Sequence, residues 1–187
     1  YRSDTEKLVP YVTEMALMRY RLIVEVEYLI KLATVPETKE YIRDLTTREI
    51  RMLRSWYKDF SLHDAETIKR IEKVGYGKNV NVGNNHDMNA VIRYLGIRMA
   101  KCSLRDMVQW AHFALTSEDI TNIAYALWLS DVLQYVIAPM LSDITDELRR
   151  RAVIFAALPQ LGLSHNQGAS PTTHGKTLNV YFDRIQR

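Results

Sequence analysis

Apolar residues recur every three to four positions along most of the chain and almost nowhere alternate, so the pattern predicts a nearly all-α protein. The first strong helix is predicted from about Thr13 to Ala33. Leu17, Tyr20, Val24, Leu29 and Leu32 fall near one stripe, with Arg19, Glu27 and Lys31 off it. Pro36 closes that region. A second helix is predicted from Thr46, because Thr46 and Glu49 have capping-box spacing, and it continues through Ile50, Leu53 and Tyr57. Ser61, three before Asp64, starts a third, carrying Ile68 and Ile71. Gly75, Gly77 and Gly83 then break the pattern, and Lys78 to Asn85 reads as a polar loop. A fourth helix is predicted from Asp87, with Val91, Tyr94 and Leu95 inward, and a short one after Ser103.

The longest element is predicted from about Glu118 to Ala157, with a stripe of Ile120, Ile123, Leu127, Leu133, Ile137, Met140, Ile144 and Leu148. At 1.5 Å per residue this rod would be roughly 60 Å long, and it needs parallel neighbours to cover it. Pro139 should kink it, having no N–H to donate and clashing with the preceding turn. Pro159 to Ser170 reads as a loop. Ser170-Pro171 reads as a cap followed by proline at the first helical position. The final helix, with Leu178, Tyr181 and Ile185 on one side, is still running at Arg187. The sequence is therefore expected to be cut from a longer parent, as its opening on Tyr1 also suggests.

Composition narrows the function classes. The chain has 187 residues and is 47% hydrophobic, enough to bury a core without staples. One cysteine, Cys102, allows no internal disulfide and fits a reducing compartment. No uninterrupted apolar run reaches the ~18 residues of a membrane span. Net charge is +3, with basic residues scattered apart from Arg149-Arg150-Arg151, which argues against a nucleic-acid partner. HExxH is absent and one cysteine builds no thiolate zinc site, so no metal centre is expected.

Three places have chemical potential. Asn85, His86 and Asp87 gather at a helix start, where backbone N–H groups favour an anion; on spacing alone, ordinary capping explains them better. Thr116 and Ser117, ahead of Glu118 and Asp119, offer two hydroxyls at the head of the long helix. They are a carboxylate or phosphate cradle, or a simple capping box. His165, between Ser164 and Asn166-Gln167, is either a loop histidine or one that transfers a proton near neutral pH. His63 and His174 read as surface or capping histidines, and His112, between Ala111 and Phe113, as a packed one.

In order, Asn85-His86-Asp87, Thr116-Ser117-Glu118-Asp119-Ile120 and Ser164-His165-Asn166-Gln167-Gly168-Ala169-Ser170-Pro171-Thr172-Thr173 resemble the adenylosuccinate lyase family of the aspartase/fumarase superfamily. Tyr20-Arg21 followed by Val24-Glu25-Val26-Glu27 is also similar to a helix of that family, and Tyr1 falls at its Gly-Arg-Tyr start. The resemblance implies a fumarase/aspartase-like fold, with residues 1–115 as the N-terminal helical domain and 116–187 as the start of a long central bundle. It implies cofactor-free β-elimination of fumarate from adenylosuccinate, giving AMP, and from the succinylated carboxamide ribotide of purine synthesis (SAICAR), giving AICAR. His165 would be the general acid and His86 would assist it. Asn85, Asp87, Thr116, Ser117, Ser164 and Gln167 would bind substrate, and Tyr1 the nucleotide phosphate. It further implies a cytoplasmic homotetramer whose active sites are shared between subunits.

The chain departs from the family pattern at Leu163, Asn166 and Gly168, where the family has arginine, glycine and proline around the histidine. The family's serine-bearing Ser-Ser-x-Met-Pro-x-Lys-x-Asn loop is not among these residues, so this stretch alone is expected to be inactive. Two alternatives are another fumarate-releasing lyase, such as argininosuccinate lyase or fumarase, and a non-catalytic lyase-like scaffold.

Overall fold

The computed structural model describes residues 1, 3–76 and 85–187, in two compact units, Tyr1–Ser130 and Asp131–Arg187. The breaks expected at Gly77 and Gly83 and the polar loop from Lys78 through Asn84 lie outside the described residues.

In the first unit, α1 (Glu14–Leu32) is the central helix. The Thr13 hydroxyl caps it by accepting the Ala16 N–H at 3.2 Å. The expected single stripe is only part of what it buries. Tyr20 and Leu22, about 200° apart on a helix, are both within 1% of full burial. A helix covered all round is a core helix, and this one also buries Arg21 and Glu25.

The capping boxes predicted at Thr46/Glu49 and Ser61/Asp64 start α2 (Thr47–Lys58) and α3 (Leu62–Val74). α3 ends at Gly75, whose φ of 87° suits a residue without Cβ. Then come α4 (Asp87–Ala100), with Val91, Tyr94 and Leu95 buried as expected, and a 3-10 stretch, Arg105–Trp110. Side-chain bonds fix the packing. Arg54 donates to both Glu27 carboxylate oxygens at 2.8 Å, and Tyr57 to the same carboxylate at 2.7 Å, joining α1 to α2. The Tyr94 hydroxyl donates to Asp64 at 2.6 Å, joining α4 to α3.

Arg43 ties the start of α2 to the 3-10 stretch. It donates to both oxygens of buried Glu49, at 3.0 and 2.8 Å, and to Asp106 at 2.6 Å. The guanidinium holds the Glu49 carboxyl down to about 2 from its ordinary 4.5. Because the folded value lies below the unfolded one, the stabilisation is complete above pH 4.5 and is lost as pH falls toward 2. Arg43→Met should therefore lower stability by roughly 2 kcal/mol at pH 7. The gap in melting temperature from the parent should narrow toward pH 3. A gap of equal size at both pH values would remove Glu49 from this account.

The long rod is a helical run over Ser117–Ile154. Its first part, α5 (Ser117–Val132), begins in the first unit, where Ile120 and Ala124 join the core. Of the predicted stripe, only Ile120 is fully buried. Ile123, Leu127, Leu133, Met140 and Ile144 are exposed, while Val132, Val136, Thr145 and Ala152 are buried. The run's most apolar 18-residue window has mean hydropathy 1.3, so by length and composition alone it could cross a membrane. This averaged window passes where no uninterrupted apolar run does, and Asp131 near its midpoint would be costly in hydrocarbon.

In the second unit the disruption expected at Pro139 takes the form of a π-helical turn, Leu133–Ile137, in which the Ala138 N–H reaches back to the Leu133 carbonyl. A wider turn suits the proline, which donates nothing and crowds the carbonyl four residues earlier. α6 (Ala138–Ile154) follows.

Two expectations for this unit are corrected. Residues 159–170 are not a loop: β1 (Pro159–Ser164) and β2 (Gln167–Thr173) form an antiparallel hairpin with a bulge between Leu161 and Leu163. Nor do Ser170 and Pro171 start a helix, since both lie within β2, and a two-stranded ribbon consists of edges that tolerate proline. The start comes at Thr173, whose hydroxyl accepts the Lys176 N–H at 3.2 Å and caps α7 (His174–Gln186). α7 packs closely on α6 at Gly175: a Cβ there would stand 2.3 Å from the Ala152 carbonyl oxygen and 2.7 Å from Ala156 Cα.

Candidate functional site

His86 is the N-cap of α4. Its Nδ1 accepts the Asn89 N–H at 3.3 Å, so a neutral ring carries its proton on Nε2. Asp87, the first helical residue, accepts the Met88 N–H through Oδ1 at 2.8 Å and the Arg21 guanidinium through Oδ2 at 2.6 Å. Partial burial pushes the Asp87 carboxyl up, but the hydrogen bond and charge of Arg21 outweigh it and leave the group more acidic than usual. Asn85, at φ 53°, accepts from the Lys73 ammonium at 3.2 Å. Asn85, His86 and Asp87 are all exposed.

At the head of α5 the capping reading is realised in part. Asp119 reaches back to the Thr116 N–H at 2.8 Å, and the Thr116 hydroxyl accepts the Glu118 N–H at 3.3 Å. Ser117 makes neither bond and is half-buried. The segment leading here is held from α1. His112 Nδ1 lies 2.6 Å from Oε1 of Glu25, which is fully buried, and the Tyr28 hydroxyl donates to the Phe113 carbonyl at 2.8 Å. His112 and Ala114 both adopt left-handed backbone, with φ of 62° and 57°. Burial pushes the Glu25 carboxyl up despite the nearby imidazole.

Bonds from α1 thus reach Asp87, through Arg21, and His112, through Glu25, from residues four positions and one turn apart, about 6 Å along its axis; Thr116 and Ser117 follow His112 by four and five residues. Arg21, Glu25 and His112 were not read as site residues from sequence. The available signal was a pair of opposite charges at helical spacing inside an otherwise apolar run.

The remaining candidates are on other segments of the chain. Ser164, His165 and Gln167 belong to the second unit. His165 and Asn166 form the two-residue tip of the hairpin, with φ of 52° and 60°, between the paired Ser164 and Gln167. Two positive φ values in a two-residue loop are the type I′ pattern, which favours glycine or asparagine at its second position. Asn166 suits that second position. All four residues are exposed. Tyr1 is fully exposed, its amino group 3.9 Å from Asp4.

His63, read as a surface histidine, lines a cavity of about 320 Å³ with Arg70, Arg98 and Lys101, and none of the candidate residues borders it. His174 packs edge-on against Phe155. Among the described residues, no group of three or more His, Cys, Asp or Glu side chains is placed to hold a metal ion.

Comparison with known proteins adds an independent finding. A family model described as Lyase matches residues 1–187. The chain is 34% identical over 189 residues to adenylosuccinate lyase of Dictyostelium discoideum, 35% over 191 residues to that of Legionella pneumophila, and 34% over 188 residues to that of Vibrio cholerae. Each match covers 100% of this chain and 39% of the relative, so the chain spans about two fifths of the length of the curated relatives it matches.

Proposed function

We propose, from the premise that this chain belongs to the lyase family, that it is part of a carbon–nitrogen lyase that eliminates fumarate from adenylosuccinate and from SAICAR. The observation that carries the reading is that adjacent turns of α1 hold Asp87, at the head of α4, and His112, four residues before Thr116 at the head of α5. A substrate with two carboxylates and a phosphate needs several anion sites close together, and helix heads supply them.

In this reading a base removes the proton next to a carboxylate and a carbanion-like state forms. The C–N bond then breaks as His165 protonates the leaving nitrogen. His86 assists through its Nε2–H. Asn85, Asp87, Thr116, Ser117, Ser164 and Gln167 contact substrate, and Tyr1 the phosphate. The base comes from sequence beyond these residues, so residues 1–187 alone are inactive. Residues 1–115 act as the N-terminal domain and 116–187 begin a bundle completed in a homotetramer. The apolar side chains left exposed along the long run, among them Ile123, Leu133 and Ile144, support that assembly. The enzyme works in the cytoplasm and without a cofactor.

The test is fumarate absorbance from the full-length protein with adenylosuccinate, SAICAR, argininosuccinate and malate, together with its mass in solution. Release from the first two by a tetramer is expected. Turnover of argininosuccinate or malate instead would transfer the protein to a sister lyase, and no turnover of any substrate would leave a scaffold.

A further inference from the structure

Arg21 and Glu25 are charged residues buried in the core helix, and each spends only part of its bonding capacity inside the protein. Arg21 is 6% exposed and Glu25 0%. Arg21 gives one guanidinium nitrogen to Asp87, while its buried Nε has no partner; Glu25 gives Oε1 to His112, while its buried Oε2 has none. Each such atom carries a desolvation cost that no hydrogen bond offsets. A leucine at either place would spare the fold that cost. What the charges do accomplish is local. Each grips one polar segment that begins or precedes a helix, and the two grips lie one turn apart on α1.

We infer that Arg21 and Glu25 are positioning residues, which hold the His86-Asp87 and His112–Ser117 segments at a fixed separation so that both meet one anionic substrate. The inference rests on the proposed lyase reading for the identity of that substrate. Neither residue touches the reacting atoms. Arg21 acts through Asp87, which carries the first turn of α4 and so the N-cap His86. Glu25 acts through His112, whose left-handed backbone at φ 62° is a conformation a loop keeps only when something holds it.

Substitutions in the full-length protein test this. Arg21→Met and Glu25→Gln keep size while removing charge, and Arg21→Lys restores the cation. Both charge-removing variants should raise KM for adenylosuccinate by about tenfold; kcat should stay within about threefold of the parent for Glu25→Gln and fall further for Arg21→Met, which also loosens His86. Arg21→Lys should recover most of the KM loss. Amide exchange followed by mass spectrometry reads the same claim without activity. Arg21→Met should speed exchange over 86–90 and leave 112–119 at the parent rate, and Glu25→Gln should do the reverse. KM within about twofold of the parent in both variants, or a fall in kcat with KM unmoved, would overturn the proposal. So would exchange that rises evenly along α1–α4 or does not change. If the parent protein releases no fumarate, the lyase reading fails, and the exchange pattern alone decides the positioning role. Should Glu25→Gln not fold, Glu25→Asp, which keeps the charge but shortens its reach, takes its place with the same expected outcomes.

Discussion

Replacing His165 with asparagine in the full-length protein is expected to cut fumarate release by about 10²- to 10⁴-fold, the range that a lost general acid accounts for, with no change in melting temperature. Asparagine is the informative choice because of the backbone. His165 has a φ of 52° at the tip of the hairpin. Alanine there would add strain to the chemical loss, whereas asparagine enters the left-handed region more readily than most residues. An amide keeps hydrogen-bonding capacity but has no proton to give at neutral pH. Steady-state turnover and a thermal melt of the same sample separate the two effects. Turnover within about threefold of the parent would make His165 a turn residue and nothing more.

Gly175→Ala is expected to lower stability by about 3 kcal/mol or more, at the upper end of what overpacking costs. The added methyl would sit 2.3 Å from the Ala152 carbonyl oxygen and 2.7 Å from both Cα and N of Ala156. These are backbone atoms of α6 and the turn after it, so no side-chain rotation relieves the clash and the two helices must separate. The Gly175 N–H also bonds the Phe155 carbonyl at 3.0 Å, which resists that separation. Thermal unfolding followed by circular dichroism measures the loss. A midpoint within about 1 °C of the parent would show that the helices part there at little cost.

Neither effect could be read from residue order alone. The chain shows a glycine after His174 but not the helix it approaches, and a histidine before Asn166 but not a hairpin. The hairpin is not legible in the sequence because its strands are short and mostly exposed: β1 half-buries Gln160 and Gly162 and exposes Leu161 and Leu163, and β2 is exposed through Pro171. The buried face of the long run was missed for a related reason. Periodicity marks apolar residues whether they face this chain or some other partner, so Ile123 and Leu133 looked the same as Ile120.

The order of residues did determine where the helices of the first unit begin. Capping at Thr13, Thr46 and Ser61 is a bond between positions three apart, which needs no distant contact. It also placed the three polar motifs at 85–87, 116–117 and 164–167. Tertiary structure alone decided which of these belong together. Arg21 finds Asp87 across 66 residues and Glu25 finds His112 across 87, by the packing of helices around α1. Pairings at that range depend on which helix faces which, and local spacing carries no record of it.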